Sequence, residues 1–247
     1  MKTYGLLGHP LSHSFSKSFF TEKFEKEHIH AQYLNFDLAD IGAFAQLIQA
    51  HPDLEGLNVT IPYKEAVIPF LDELDPTAKE IGAVNVIRIE RKDGAVRLIG
   101  YNSDVVGFRE SLRPLLLDDV TRALVLGTGG ASKAVVYALR ELGIESRYVS
   151  RKGTGTVLGY DQLDAELIGQ YPLVVNTTPL GMYPNLTEKP SLPYEGVKAR
   201  HILYDLIYNP ETTAFLEEGM RRGAVVKNGY EMLILQALES WRIWNQL

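Results

Sequence analysis

The stretch from Arg122 to Gly143, RALVLGTGGASKAVVYALRELG, constrains the fold more than any other part of the chain. An apolar run stops at Gly127-Thr128-Gly129-Gly130, and apolar residues at helical spacing resume at once. A strand that ends on glycine and reopens as a helix leaves backbone N–H groups pointing outward at the junction. Glycine lets a pyrophosphate approach that backbone, and the partial positive charge of the helix N-terminus favours an anion there. Ala131 is small enough for close packing, and Ser132 stands where the familiar pattern has its third glycine. Alone, such a turn could be a tight junction with no ligand. Here ESRYVS (145–150) supplies the next strand, and a strand–helix–strand setting points to a dinucleotide.

The same alternation runs through the whole chain. TYGLLG (3–8), QYLNFD (32–37) and GLNVT (56–60) have the character of strands, and the segments between them repeat apolar residues at helical spacing, as in Phe20/Phe24 and Phe44/Ile48. This spacing predicts parallel βαβ units. AVNVIRIE and VRLIGYN then flank Asp93-Gly94, a pair that tolerates the positive φ of a tight hairpin. A second α/β series begins near Asp104 and includes LVVNTT, HILYDL and GAVVKN as strands, with helices expected at YDQLDAEL and ETTAFLEEGMRRG. The apolar helix YEMLILQALESWRIWNQL follows the last of these strands, and we expect it to pack back on the first series. The sequence thus predicts an α/β protein of two domains, residues 1–102 with 229–247 and residues 103–228.

Composition narrows the classes of function. The 247 residues are 45% hydrophobic and 23% charged, ordinary for a globular protein with a real core. A net charge of -6 with no basic block gives no reason to expect nucleic acid. No apolar run approaches the ~20 residues that span a bilayer, and the N-terminus lacks a signal-peptide core, so a cytoplasmic setting is expected. Absence of cysteine removes disulfides and thiolate chemistry. His9 and His13 are separated by Pro10, and the other histidines are scattered, so no metal site is expected.

The strand after the glycine turn bears on the choice of dinucleotide. NAD sites usually carry an acidic residue at its end for the ribose 2′-hydroxyl. This strand instead runs into Ser150-Arg151-Lys152, two cations where a 2′-phosphate needs them, so NADP is the expected cofactor. Asn176, Thr177 and Thr178 follow another strand end and would line the same crevice. In the first series, Asn58 and Thr60 share a strand face, and Lys64 comes just after Pro62 in the first turn of a helix, where the helix dipole disfavours a cation. That misfit hints at proton chemistry. Asn85, Asn102 and Asp104 offer further polar groups at strand ends, and Ser12 and Ser14 flank a turn suited to a carboxylate. An anion hook, amides, a lysine and an aspartate together suit a small polyhydroxylated acid.

At these residues the chain resembles the shikimate dehydrogenase family, over essentially its full length. The matching segments are PLSHSFS, GLNVTIPYK, GAVNV, GYNSDVVGF, LGTGGASKA, NTTPLGM, YDLIYNP and GYEMLILQA, in this order. The resemblance implies a Rossmann-like NADP-binding domain at 103–228, an α/β substrate-binding domain formed by 1–102 with 229–247, and NADPH-dependent reduction of 3-dehydroshikimate to shikimate. It implies Lys64 and Asp104 as the catalytic pair, Ser12, Ser14, Thr60 and Tyr208 about the substrate carboxylate, and Asn85, Asp104 and Gln236 at ring hydroxyls. Gly127, Gly129, Gly130, Ala131, Ser150, Arg151, Lys152, Asn176, Thr177, Thr178, Leu206 and Gly229 would meet the cofactor. A small-molecule substrate and a monomer or homodimer are implied as well. Two departures stand out: Ser-Arg-Lys replaces the common Asn-Arg-Thr at the basic turn, and Glu231 sits where glycine is common. An NAD-using quinate or shikimate enzyme is the alternative within the fold, and a sensor that binds without turnover is the alternative outside enzymes. The basic turn weighs against the first, and the Lys64/Asp104 pair against the second.

Overall fold

The first apolar run forms β1 (Lys2–Gly8) in the computed structural model, which describes residues 1–11 and 14–246. Every β1 residue after Lys2 is buried, as expected for a parallel strand covered on both faces. The chain divides into two units, Met1–Ser103 with Ala237–Leu247, and Asp104–Gln236. The second join falls inside the final helix, eight residues beyond the boundary the sequence suggests at 228/229.

In the first unit β1 is followed by α1 (Phe15–Lys26), β2 (Ala31–Asp37), α2 (Phe44–Ala50), β3 (Leu54–Val59), α3 (Tyr63–Ala66), β4 (Glu73–Leu74), α4 (Pro76–Ile81), β5 (Val86–Lys92) and β6 (Ala95–Tyr101). The sheet order is β2-β1-β3-β5-β6-β4. β1 pairs parallel with β2 and β3, while β5 pairs antiparallel with β3 and β6. The hairpin turn is Asp93-Gly94, with φ of 53° and 80°, the left-handed pair that a two-residue turn requires. One core lies on one face of the sheet, around Leu7, Phe44, Leu57 and Ile87. The other face packs Tyr4, Phe20, Phe24, Tyr33 and Val86 against Ile243 and Trp244. Trp244 stacks on Tyr4 with centroids 4.8 Å apart, and its indole N–H donates to Ile87 O at 3.1 Å. Gly56 makes room for it, because a Cβ there would lie 2.4 Å from the indole ring.

The second unit contains α5 (Asp104–Leu112), β7 (Arg122–Leu126), α6 (Gly130–Glu141), β8 (Glu145–Ser150), β9 (Leu158–Gly159), α7 (Ala165–Gly169), β10 (Leu173–Asn176), β11 (Ile202–Asp205), α8 (Ala214–Met220) and β12 (Val225–Lys227). The last helix, α9 (Tyr230–Asn245), begins here and ends in the first unit. The sheet is parallel throughout in the order β12-β11-β10-β7-β8-β9. Counted from β7 and read from the β9 edge, that is third, second, first, fourth, fifth, sixth across the sheet, the Rossmann order. Its core gathers Leu124, Val149, Val174, Leu203 and Phe215. Where the sequence suggests one helix over 160–167, a 3-10 turn at Tyr160–Gln162 comes first. Asp164 then caps α7 by accepting from Leu167 N at 2.7 Å.

Candidate active site

In the first unit the carboxyl ends of β1 and β3 lie side by side, and their loops are joined. Thr60 N donates to Leu7 O at 2.9 Å and His9 N to Ile61 O at 3.2 Å. A Cβ on Gly8 would come within 2.6 Å of Thr60 Cγ2, so glycine lets the two loops touch. Asp37, at the end of β2, holds the loop that leads to α1: its carboxylate pairs with His9 Nδ1 at 2.6 Å and accepts from Leu11 N at 3.0 Å. These bonds hold the Asp37 carboxyl below the usual carboxylate range, the Leu11 N–H contributing most. Ser14 caps α1, its Oγ accepting from Lys17 N at 3.1 Å. Ser12 lies outside the described residues.

Lys64 occupies α3, a single helical turn followed by a 3-10 turn at Ile68–Phe70, so the dipole penalty suggested by the sequence is small. Its carbonyl accepts from Val84 N at 2.7 Å, and Val59 N donates to Asn85 O at 2.8 Å. Thr60, Lys64 and Asn85 are thereby brought to one edge of the sheet. Asn85 is buried, its Oδ1 accepting from Ser103 N at 2.7 Å and its Nδ2 donating to Ser103 Oγ at 3.0 Å. Ser103 directly precedes Asp104, the buried first residue of α5. Asn58 faces inward: it accepts from Tyr33 Oη at 2.8 Å and donates to Ser240 Oγ at 2.8 Å. Sequence reasoning did not single out Ser103, Ser240 or Asp37. Ser103 carried a usable signal, since serine just ahead of a helix start is a common cap.

In the second unit the glycine turn lies at the switch point between β7 and β10. Gly127 has φ +107°, and a Cβ there would sit 2.7 Å from Thr177 Oγ1. Gly129 is the N-cap of α6 and supplies no side-chain cap, so the first amides of that helix face outward without one. Nothing lies within 4 Å of a Cβ built on Gly129, which leaves open space where a phosphate would approach. Ser132 Oγ donates back to Gly129 O at 2.6 Å and tightens the turn. Gly130 and Ala131 open α6 and are half-buried.

At the end of β8, Arg151 and Lys152 are exposed, and Ser150 Oγ donates to Lys152 O at 2.6 Å, which shapes the basic turn. Asn176 and Thr177 turn their side chains inward. Thr177 Oγ1 donates to Leu126 O at 2.6 Å, and Asn176 Oδ1 accepts from Thr178 N at 3.0 Å and Thr178 Oγ1 at 2.7 Å. Leu206 N donates to Asn176 O at 3.0 Å, and Gly229 N to Ile207 O at 3.0 Å. A Cβ on Gly229 would lie 2.0 Å from Leu206 O, so only glycine fits this crossing. Tyr208 is 40% exposed, and partial burial raises its phenol pKa. Gln236 is buried on α9, its Nε2 donating to Leu233 O at 3.0 Å, and Gly107 of α5 admits its backbone. Among the described residues no group of three or more His, Cys, Asp or Glu side chains could hold a metal ion.

The open Gly129, the uncapped start of α6, the Rossmann strand order and the basic turn after β8 all suit a dinucleotide with a 2′-phosphate. Together with the lysine, amide and hydroxyl edge of the first unit, they define a dinucleotide-dependent oxidoreductase. Residues 6–87 match the family described as the shikimate dehydrogenase substrate binding domain. Over 98% of its length the chain is 38% identical to shikimate dehydrogenase (NADP(+)) of Carboxydothermus hydrogenoformans, covering 91% of that protein. It also superposes on solved structures. For shikimate dehydrogenase of Aquifex aeolicus the TM-score is 0.87 at 32% identity, covering 100% of this chain and 93% of that one. For the Thermus thermophilus enzyme in complex with NADP(H) and shikimate the TM-score is 0.87 at 32% identity, with 100% and 94% covered. The chain belongs to the shikimate dehydrogenase family.

Proposed function

We propose that this protein catalyses the reversible, NADPH-dependent reduction of 3-dehydroshikimate to shikimate. The observation that carries the reading is the match, over nearly the whole chain, to relatives named for that oxidoreduction. The outward amides at Gly129, Gly130 and Ala131, with Gly127 opening the turn, take the pyrophosphate. In this reading the adenosine half lies over β7 and β8, as the Rossmann strand order favours, Arg151 and Lys152 receive the 2′-phosphate and Ser150 holds their turn. The nicotinamide half then lies over β10 and β11. There Thr178, Leu206 and Gly229 border it, while Asn176 and Thr177 shape the wall from within.

Bound NADPH supplies the hydride. As the substrate carbonyl is reduced, negative charge gathers on its oxygen. The Lys64 ammonium stabilises that charge and donates the proton, with Asp104 orienting the lysine. Ser12, Ser14, Thr60 and Tyr208 hold the substrate carboxylate. The oxygen of Ser14 accepts from Lys17 N–H, a role that leaves its hydroxyl proton to be donated. Asn85, Asp104 and Gln236 take the ring hydroxyls, Asn85 being fixed for this by Ser103. Every assigned residue lies on one chain, so a monomer or a homodimer can act. NADPH is an intracellular reductant, and the proposal therefore carries a cytoplasmic setting; among the described residues no helix is long and apolar enough to cross a membrane. Incubation of the purified protein with 3-dehydroshikimate and NADPH should yield shikimate by chromatography. Consumption of neither compound would sink the reading.

A further inference from the structure

We propose that Asp205 is a positioning residue for the cofactor, one buried carboxylate that fixes both loops bordering the nicotinamide half of the crevice. The inference rests on the reading that this crevice holds NADP(H). Asp205 ends β11 and is fully buried, opposite Asn176 at the end of β10 in the strand register. Its Oδ1 accepts from Asn176 Nδ2 at 3.0 Å and from Ile207 N at 3.0 Å. Its Oδ2 accepts from Thr213 Oγ1 at 2.6 Å, and Thr213 caps α8 by accepting from Leu216 N at 3.4 Å. Asn176 relays the hold outward, since its Oδ1 takes both the N–H and the hydroxyl of Thr178. The loop after β10, the loop after β11 and the start of α8 therefore meet at one side chain.

The donors are a side-chain amide, a hydroxyl and a backbone N–H, with no cation among them. Burial dominates, pushing the Asp205 carboxyl up to about 6 against the lowering effect of those bonds. A carboxylate offers only acceptors, so it can gather convergent donors that an apolar side chain would leave unpaired. The two loops it gathers carry Thr178 on one side and Leu206 and Tyr208 on the other. The glycine turn touches this cluster only through the loop after β10, where Thr177 and Thr178 lie beside Gly127. The basic turn after β8 makes no bond to it among the described residues, so its loss should loosen the nicotinamide half first.

The test compares calorimetric binding of NADP⁺ with that of adenosine 2′,5′-bisphosphate, which engages only the adenosine half. In Asp205→Ala, Kd for NADP⁺ should rise at least about tenfold while the fragment stays within about twofold of wild type. Asp205→Asn should rescue NADP⁺ binding to within about threefold, because the amide oxygen still accepts from Asn176 and Ile207 while its NH₂ meets the Thr213 hydroxyl. Should Asp205→Ala prove insoluble, Asn176→Ala must show the same split. Unchanged NADP⁺ affinity, a parallel loss of both ligands, or an asparagine variant no better than alanine would overturn the inference and leave the proposed function standing. A wild type with no affinity for NADP⁺ would overturn both.

Discussion

Lys64 sits on one turn of helix whose carbonyl is pinned by Val84 N–H at 2.7 Å, so its backbone is fixed although the element is short. If it gives the proton to the reduced oxygen, Lys64→Ala should lower kcat by about 100-fold or more with a smaller effect on KM. Wild-type turnover in that variant would remove the assignment. Asp205 makes a second prediction, through pH. Its carboxyl is raised from 3.8 to about 6 by burial, so the folded state binds the proton more tightly than the unfolded chain. Its contribution is thus present in full below pH ~4 and lost as pH rises through about 6, on the order of 1–3 kcal/mol. Asp205→Asn does not titrate, so its stability relative to wild type should improve between pH 4.5 and 7 in parallel denaturation curves. A flat difference would mean that the carboxyl is not raised. Lys64, Asn85 and Asp104 were legible as polar residues at strand ends. The reach of Asp205 was not, because YDLIYNP shows a strand end but not which neighbouring strand and helix cap will turn donors toward it.

Among the elements, the glycine turn separates a glycine needed by the fold from one needed by a ligand. Gly127 has φ +107° and a Thr177 contact at 2.7 Å, so Gly127→Ala should destabilise the protein by about 1–3 kcal/mol. Gly129 has an ordinary φ of -79° and open space around a Cβ. Gly129→Ala should leave stability within about 0.5 kcal/mol while weakening NADP⁺ binding about tenfold or more. Thermal melts and calorimetry on the two variants check this, and equal binding by Gly129→Ala and wild type would place the pyrophosphate elsewhere. The long strands and α1, α5, α6 and α9 were legible because each carries a sustained apolar period. β4 and β9 were not, being two-residue edge strands whose pairing comes from the sheet beside them. The expected helix over 160–167 was interrupted because Asp164 finds a capping role that no periodicity expresses.

For the whole molecule, two α/β series could be counted along the chain, yet the strand order of each sheet depends on contacts far apart in sequence. The insertion of antiparallel β5 between β3 and β6, and the parallel Rossmann order of the second sheet, emerge only in three dimensions. The final helix shows the same limit: its apolar length was plain, but its division at Gln236/Ala237 between units was not. Cofactor choice belongs at this scale, because the proposed function assigns the 2′-phosphate to Arg151 and Lys152 and hydride transfer to other residues. Arg151→Ala should therefore reduce kcat/KM for NADP⁺ and leave the NAD⁺ reaction nearly unchanged, and the NADP preference should shrink at high salt. The most direct measurement is the initial rate of shikimate oxidation by the purified protein with NADP⁺ and with NAD⁺, quinate serving as the competing substrate. Turnover of shikimate with kcat/KM at least about tenfold higher for NADP⁺ is the expected result. No turnover of shikimate with either cofactor, or equal efficiency with both, would contradict it.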